Sequence, residues 1–273
     1  MQKNILLSLC ILGLGLQSIS QPTQTNITYG SHVQQKLDYY SAASTNSPII
    51  VVVHGGGWVT GSKSDPSFQN ISQLFKNAGY AVVNINYKLD TAVSYAGYPE
   101  QPSELACAIA WTKQNAGLFN GDSSRVALYG HSAGGHLVTL HGLHAYSALL
   151  SGCAYGAGLN VAGVMATSGV YDFNAANPNR WVEINNMLVD STNQWVDAQP
   201  IKHVAPKVNT KFLCITGQND GFVGQQQALN FRDSMLAHQQ CIVFKYLAGY
   251  NHNALISNLT ATDTVFRLTY PAA

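Results

Sequence analysis

Arg125-Val126-Ala127-Leu128-Tyr129 runs without a linker into Gly130-His131-Ser132-Ala133-Gly134-Gly135, and a helical pattern then continues to about Leu150. The order is a short buried strand, a glycine-flanked serine and a helix. Glycines two before and two after the serine let the backbone turn sharply without side-chain clashes. Ser132 then stands at a helix N-terminus, where the dipole favours developing negative charge. Outward from this segment, strands and helices alternate. Pro48–Val53, Ala81–Tyr87, Val161–Ala166, Lys211–Thr216 and Ile242–Leu247 read as core strands, near-continuous in apolar residues. Phe68–Ala78 reads as a helix stopped by Gly79, and Ser103–Ala116 as one capped by Ser103 and stopped by Gly117. Gln225–Ala237 is a further helix, and a last one starts at Leu255. This order predicts an α/β fold: one mostly parallel sheet with helices on both faces. Ligands on such sheets bind at the carboxyl ends of the strands.

Two more strand ends carry candidate chemistry. His54-Gly55-Gly56-Gly57-Trp58 follows Pro48–Val53. Three consecutive glycines are costly in backbone entropy, so a packing loop has little use for them. They free backbone N–H groups to point at an oxyanion. A phosphate loop is the rival, but no Lys-Ser/Thr follows in register and no G-x-G-x-x-G is present. The third end is Gly217-Gln218-Asn219-Asp220-Gly221, paired with Asn251-His252-Asn253 after the next strand. A serine nucleophile needs a base, and the base an orienting acid. Asp220 is the candidate acid and His252 the candidate base. Asp172 also follows a strand, one strand earlier. His136, His141 and His144 lie on the helix after Ser132 at spacings poor for one face, and read as packed or solvated side chains. His54 reads as a residue that shapes the glycine loop by hydrogen bonding.

Taken together, His54–Trp58 with Gly61-Ser62-Lys63, Asn86-Tyr87-Lys88-Leu89, Tyr98-Pro99 and Gly130–Leu137 resemble the α/β-hydrolase superfamily. More narrowly, they resemble the HGGG-type carboxylesterases related to hormone-sensitive lipase. Within these, the chain looks like the branch holding bacterial feruloyl/acetyl-xylan esterase-like and kynurenine formamidase-like proteins. Gln35–Tyr40 is similar to that branch's entry strand. The order Ser132, Asp220, His252 is the α/β-hydrolase order. The resemblance implies an α/β-hydrolase fold, Ser132 as nucleophile, His252 as base and Asp220 as acid. It implies an oxyanion hole from the N–H groups of Gly56, Gly57 and Ala133. Only residues 21–48 precede the first core strand, too few for the helical cap of hormone-sensitive-lipase relatives. The expected cap is therefore small or absent, with 172–210 as the lid candidate (Trp181, Met187, Leu188, Trp195) and a comparatively open site. Trp58, Tyr98, Trp181 and Trp195 are candidates for the pocket wall. The implied reaction is hydrolysis of small or short-chain carboxylic esters through an acyl-enzyme, with a small-molecule ester as substrate and no metal or organic cofactor. An arylformamidase or amidase using the same three residues is the alternative, and a catalytically inactive binding module the second.

Composition fits this reading. The 273 residues are 46% hydrophobic and 10% charged, against roughly 25% charged on average. Such a chain is not disordered. A basic excess or stripe is missing, so a nucleic-acid partner is not expected. Residues 1–20 read as a secretory signal peptide: Lys3, an apolar run Ile5–Leu16, and Ser18 and Ser20 for cleavage after Ser20. That leaves 21–273 as one domain, secreted or periplasmic. The run is shorter than the ~20 residues of a membrane span. An uncleaved anchor is the rival, and a lipoprotein cysteine at Cys10 is disfavoured by Leu9. Without Lys3, thirteen basic groups face thirteen acidic ones, which suits a neutral substrate. Cys107, Cys153, Cys214 and Cys241 permit disulfides in three connectivities or stay as buried thiols. Cys214 and Cys241 both read as lying in buried strands.

Overall fold

A computed structural model describes residues 21–90, 97–144, 153–156, 158–180, 191–204 and 208–257. The strands are β1 (Gln24–Thr28), β2 (Lys36–Tyr40), β3 (Ser47–Val53), β4 (Ala81–Ile85), β5 (Gly121–His131), β6 (Gly163–Thr167), β7 (Lys211–Gly217) and β8 (Ile242–Leu247). They form one sheet in the order β1-β2-β4-β3-β5-β6-β7-β8. Pairing is antiparallel at β1–β2 and β2–β4 and parallel throughout the rest. This is the expected α/β-hydrolase sheet, with β1 as a strand the sequence reading did not include. The helices are α1 (Pro66–Asn77), α2 (Glu100–Gln114), α3 (Ala133–Leu143), α4 (Ser191–Asp197), α5 (Gln225–Ala237) and α6 (Ala254–Ser257).

The pleat sorts the strand residues onto two faces. Ile50 and Val52 of β3 join Tyr129, Leu213 and Ile215 against Phe68, Ile71 and Phe75 of α1 and Leu255 of α6. Ile49, Val51 and Val53 of the same strand face the other way, into the larger core that also holds residues of α2, α3 and α5. α1 forms because Pro66 supplies a preset first turn and Phe68, Ile71 and Phe75 recur on one buried stripe. Truncating Phe75 to alanine is expected to cost about 3–5 kcal/mol.

Five local readings differ from the structure. α2 starts at Glu100, not Ser103: Pro102 fits a first turn, where its missing N–H costs nothing. Ser103 is inside the helix and donates its hydroxyl to the Pro99 carbonyl at 2.9 Å. The helix ends at Gln114, before Gly117, which belongs to a short 3-10 turn over Ala116–Phe119. α3 stops at Leu143, where His144 turns extended (φ −142°); residues 145–150 lie outside the described set. β8 is an edge strand whose residues are all half-buried or exposed, so it is not a core strand, and Cys241 before it is exposed. Cys107 of α2 is bonded to Cys153, closing a loop over 46 residues, while Cys214 is a buried thiol.

The register brings the functional segments together. Val53 pairs with Gly130 on one side and Ile85 on the other. His131 pairs with Thr167, and Gly217 with Leu247. The glycine loop, the serine turn and the segments carrying Asp220 and His252 therefore leave the same end of the sheet.

Candidate active site

Ser132 sits between β5 and α3 at φ 56°, ψ −121°. Such a backbone costs a non-glycine residue roughly 1–3 kcal/mol and persists only where its surroundings enforce it. Here they do. The Ser132 N–H donates to the Thr167 carbonyl (3.0 Å), and the Ser132 carbonyl accepts the His136 N–H (3.0 Å). A side chain on Gly130 would strike the Gly134 carbonyl, and one on Gly134 would strike the carbonyl of Val53. Both glycines are therefore required by close approach.

The glycine loop winds through three successive left-handed residues: Gly56 (φ 115°), Gly57 (φ 59°) and Trp58 (φ 64°). The Gly56 carbonyl accepts the N–H groups of Val59 (3.2 Å) and Thr60 (2.9 Å). His54 holds the start of the loop, with Nδ1 donating to the Gly55 carbonyl at 2.7 Å. Its ring stacks on Tyr87 at 4.4 Å. Burial holds its pKa down at about 4, so it stays neutral. The far end is fastened by a buried ion pair, Lys63 Nζ to Asp38 Oδ1 at 2.7 Å. The Lys63 main chain also donates to Asn86 Oδ1 (2.6 Å) and accepts from Asn84 Nδ2 (2.8 Å).

Asp220 is 1% exposed. Its Oδ1 accepts the N–H groups of Phe222 (3.1 Å) and Val223 (3.3 Å). His252 Nδ1 lies 3.0 Å from Oδ2 and 3.2 Å from Oδ1. Burial pushes the Asp220 carboxyl up. The His252 N–H and charge, the nearby Ser168 hydroxyl and the Val223 N–H outweigh that and hold it below the usual carboxylate range. With a carboxylate at Nδ1, the imidazole carries its proton there and leaves Nε2 as the basic lone pair. The two loops meet through main-chain bonds: Gln218 N–H to Leu247 O (2.9 Å) and Asn219 N–H to Tyr250 O (2.8 Å).

Ser132, Ala133, His252, Gly56 and Gly57 all line one cavity of about 690 Å³. The rest of its wall includes Val170, Ala176, Phe222 and Val223. Phe222 stacks on the His252 ring at 4.6 Å with planes 25° apart. His131 lies 4.7 Å away from the same ring. Its Nδ1 is bonded to the Thr167 hydroxyl (3.0 Å), and burial and His252 hold its pKa down at about 3. The sequence reading does not single out Phe222, and takes His131 only as the variable residue of the serine turn. An aromatic two residues after the candidate acid was the available signal for Phe222.

The pocket candidates divide. Trp58 lines the cavity, although its side chain is buried. Tyr98 belongs to the hydrophobic core and is absent from the cavity wall, a correction. Trp195 is likewise displaced from the wall. It packs edge-on to Phe173 at 5.4 Å and donates Nε1–H to Asn174 Oδ1 at 3.2 Å. Trp181, Met187 and Leu188 lie outside the described residues, and so does the middle of the 172–210 lid candidate. Its described parts are pinned: the Phe173 N–H donates to Gln199 Oε1 (2.9 Å), and the Asn177 N–H to Val223 O (3.1 Å). Asp172 accepts from Asn230 Nδ2 (2.9 Å) and the Asn174 N–H (3.1 Å), a structural tie to α5. His136 and His141 are buried with Nε2 on the carbonyls of Ala198 (2.7 Å) and Leu159 (3.0 Å). Among the described residues no group of three or more His, Cys, Asp or Glu could hold a metal ion. No helix among them is long and apolar enough to cross a membrane.

Esterase LipC of Mycobacterium tuberculosis is 30% identical over 243 residues, covering 83% of this chain and 58% of that protein. The chain spans about half the length of the curated relatives it matches. A truncated carbohydrate esterase from gut microbiota superposes with a TM-score of 0.73 at 20% identity, covering 89% of this chain and 95% of that one. An esterase of Thermogutta terrifontis with butyrate bound gives a TM-score of 0.74 at 16% identity, covering 94% and 97%. The family model BD-FAE matches residues 37–235, from within β2 to within α5. On that match and on its sheet, this chain belongs to the BD-FAE family and has the α/β-hydrolase fold.

Proposed function

We propose that the chain is a serine carboxylesterase acting on small or short-chain esters through an acyl-enzyme. The observation that carries this reading is the convergence on one cavity of Ser132, the Asp220-bound His252 and the glycine loop. The esterase relatives support it. His252 Nε2 takes the Ser132 proton as Oγ attacks the ester carbonyl. Asp220 keeps the proton on Nδ1 and stabilises the imidazolium. The N–H groups of Gly56, Gly57 and Ala133 receive the oxyanion, where one donor is worth about 3 kcal/mol. The alcohol departs with the proton from His252. Water then attacks the acyl-enzyme by the same route, releasing the acid and restoring Ser132.

Steady-state hydrolysis of p-nitrophenyl acetate tests the reading. The parent is expected to turn over, and Ser132→Ala to fall by about 10⁴-fold or more. Equal slow rates for both would reject it. The Cys107–Cys153 bond supports an exported protein, since such bonds persist in oxidising compartments. Cell fractionation with an antibody to the chain tests that part, and a cytosolic pool alone would reject it.

A further inference from the structure

We propose that His136 is a positioning residue, which sets the glycine loop against Ser132 by accepting the indole N–H of Trp58. The inference rests on reading Gly56 and Gly57 as oxyanion donors. His136 lies one turn after Ser132, with its N–H on the Ser132 carbonyl at 3.0 Å. Its Nδ1 is 3.2 Å from Trp58 Nε1, and the two rings meet edge to face at 5.3 Å. Its Nε2 is 2.7 Å from the Ala198 carbonyl.

These two bonds fix the tautomer. A carbonyl oxygen only accepts, so Nε2 carries the proton. The indole only donates, so Nδ1 must present a lone pair. A neutral Nε2–H imidazole satisfies both neighbours at once. Burial favours that neutral form, holding the pKa of His136 down at about 4.

Trp58 is worth holding. It directly follows Gly57, sits at φ 64° and is buried. A left-handed tryptophan is strained, and its surroundings must over-determine it. Its carbonyl accepts Gln101 Nε2 (2.9 Å) and the Asp90 N–H (3.0 Å), which anchor the main chain from α2 and the segment after β4. The indole N–H is the anchor toward α3. Through it, the loop carrying the proposed oxyanion donors is tied to the same helical turn that holds the proposed nucleophile. A displacement of about 1 Å in such a constellation can cost 10²-fold in rate.

The test compares the parent with His136→Leu, His136→Gln, Trp58→Phe and the Trp58→Phe/His136→Leu pair. Each is assayed for kcat and KM on p-nitrophenyl acetate, for thermal melting, and for affinity toward a trifluoromethyl ketone, whose adduct on Ser132 carries an oxyanion. His136→Leu is expected to lower kcat roughly 10- to 100-fold with KM within about twofold. The ketone's affinity should fall by the same factor. Glutamine can accept from Trp58 and donate to Ala198, so His136→Gln should recover most of the loss. Trp58→Phe removes only the donor and the outer ring, and should reproduce the loss. The double variant should lose no more than the worse single, because both delete one interaction. The inference is overturned if Trp58→Phe leaves kcat and ketone affinity unchanged, whether or not His136→Leu folds. It is also overturned if His136→Gln is as poor as His136→Leu at equal melting temperature. Failure of the parent to hydrolyse the ester, or undiminished activity in Ser132→Ala, instead rejects the esterase reading itself.

Discussion

Mild acid should destabilise this protein through its buried histidines. His54, His131, His136 and His141 are buried, none more than 4% exposed. Burial holds His54, His136 and His141 at about 4 and His131 at about 3, against 6.5 for an ordinary histidine. Between these values the unfolded chain binds protons that the folded one refuses. The stability from these groups is fully present above pH 6.5 and is lost as pH falls toward 4. By linkage each costs about 2 kcal/mol at pH 5, about 8 kcal/mol for the four. Glu104 opposes them. Burial raises its carboxyl to about 7, so its penalty at pH 8 is relieved on acidification, a gain of about 2 kcal/mol by pH 5. The net loss from pH 8 to 5 is about 6 kcal/mol, within the roughly 5–15 kcal/mol of a typical domain. Urea unfolding followed by tryptophan fluorescence at pH 8, 7, 6 and 5 measures it. His141→Gln, whose parent imidazole bonds Leu159 away from the cavity, should flatten the pH dependence by about 2 kcal/mol at pH 5. A stability constant to within about 1 kcal/mol over this range would refute the reasoning.

Three further outcomes are expected. Asp220→Asn should lower kcat by about 10⁴-fold with little change in melting temperature, because an amide no longer fixes the proton on Nδ1; steady-state kinetics check it. Phe222→Ala removes the ring stacked on His252, worth about 1 kcal/mol, so kcat should fall about five- to tenfold in steady-state kinetics. Replacing Cys107 and Cys153 by alanine opens a loop over 46 residues and should cost up to about 4 kcal/mol in urea unfolding, without loss of kcat at low temperature.

Much of this was legible because the chemistry sits at strand ends, where residue identity carries backbone information. Gly130 and Gly134 flank Ser132 because side chains there would strike main chain. The glycine loop was readable for a related reason, since Gly56 and Gly57 take left-handed angles. What stayed hidden depends on contacts between distant segments. Ile242-Val243-Phe244 reads as core by composition, but among the described residues β8 has a neighbouring strand on one side only. Trp195 and Tyr98 are aromatic like pocket residues, yet burial against Phe173 and the core claims them. The partner of Cys107 could not be read among three connectivities, because the pairing is set by where α2 and the segment after α3 meet. His136 looked like a packed histidine, and it is one. Its tautomer, and therefore its use, follows only from Trp58 and Ala198, 78 and 62 residues away.

Everything proposed for this site requires Ser132 to be an activated nucleophile. Stoichiometric labelling with a fluorophosphonate, followed by peptide mass mapping, tests it most directly. One adduct per chain is expected, on Ser132, formed far more slowly in His252→Ala and not at all in Ser132→Ala. An unlabelled parent, or an adduct on another residue, would contradict it.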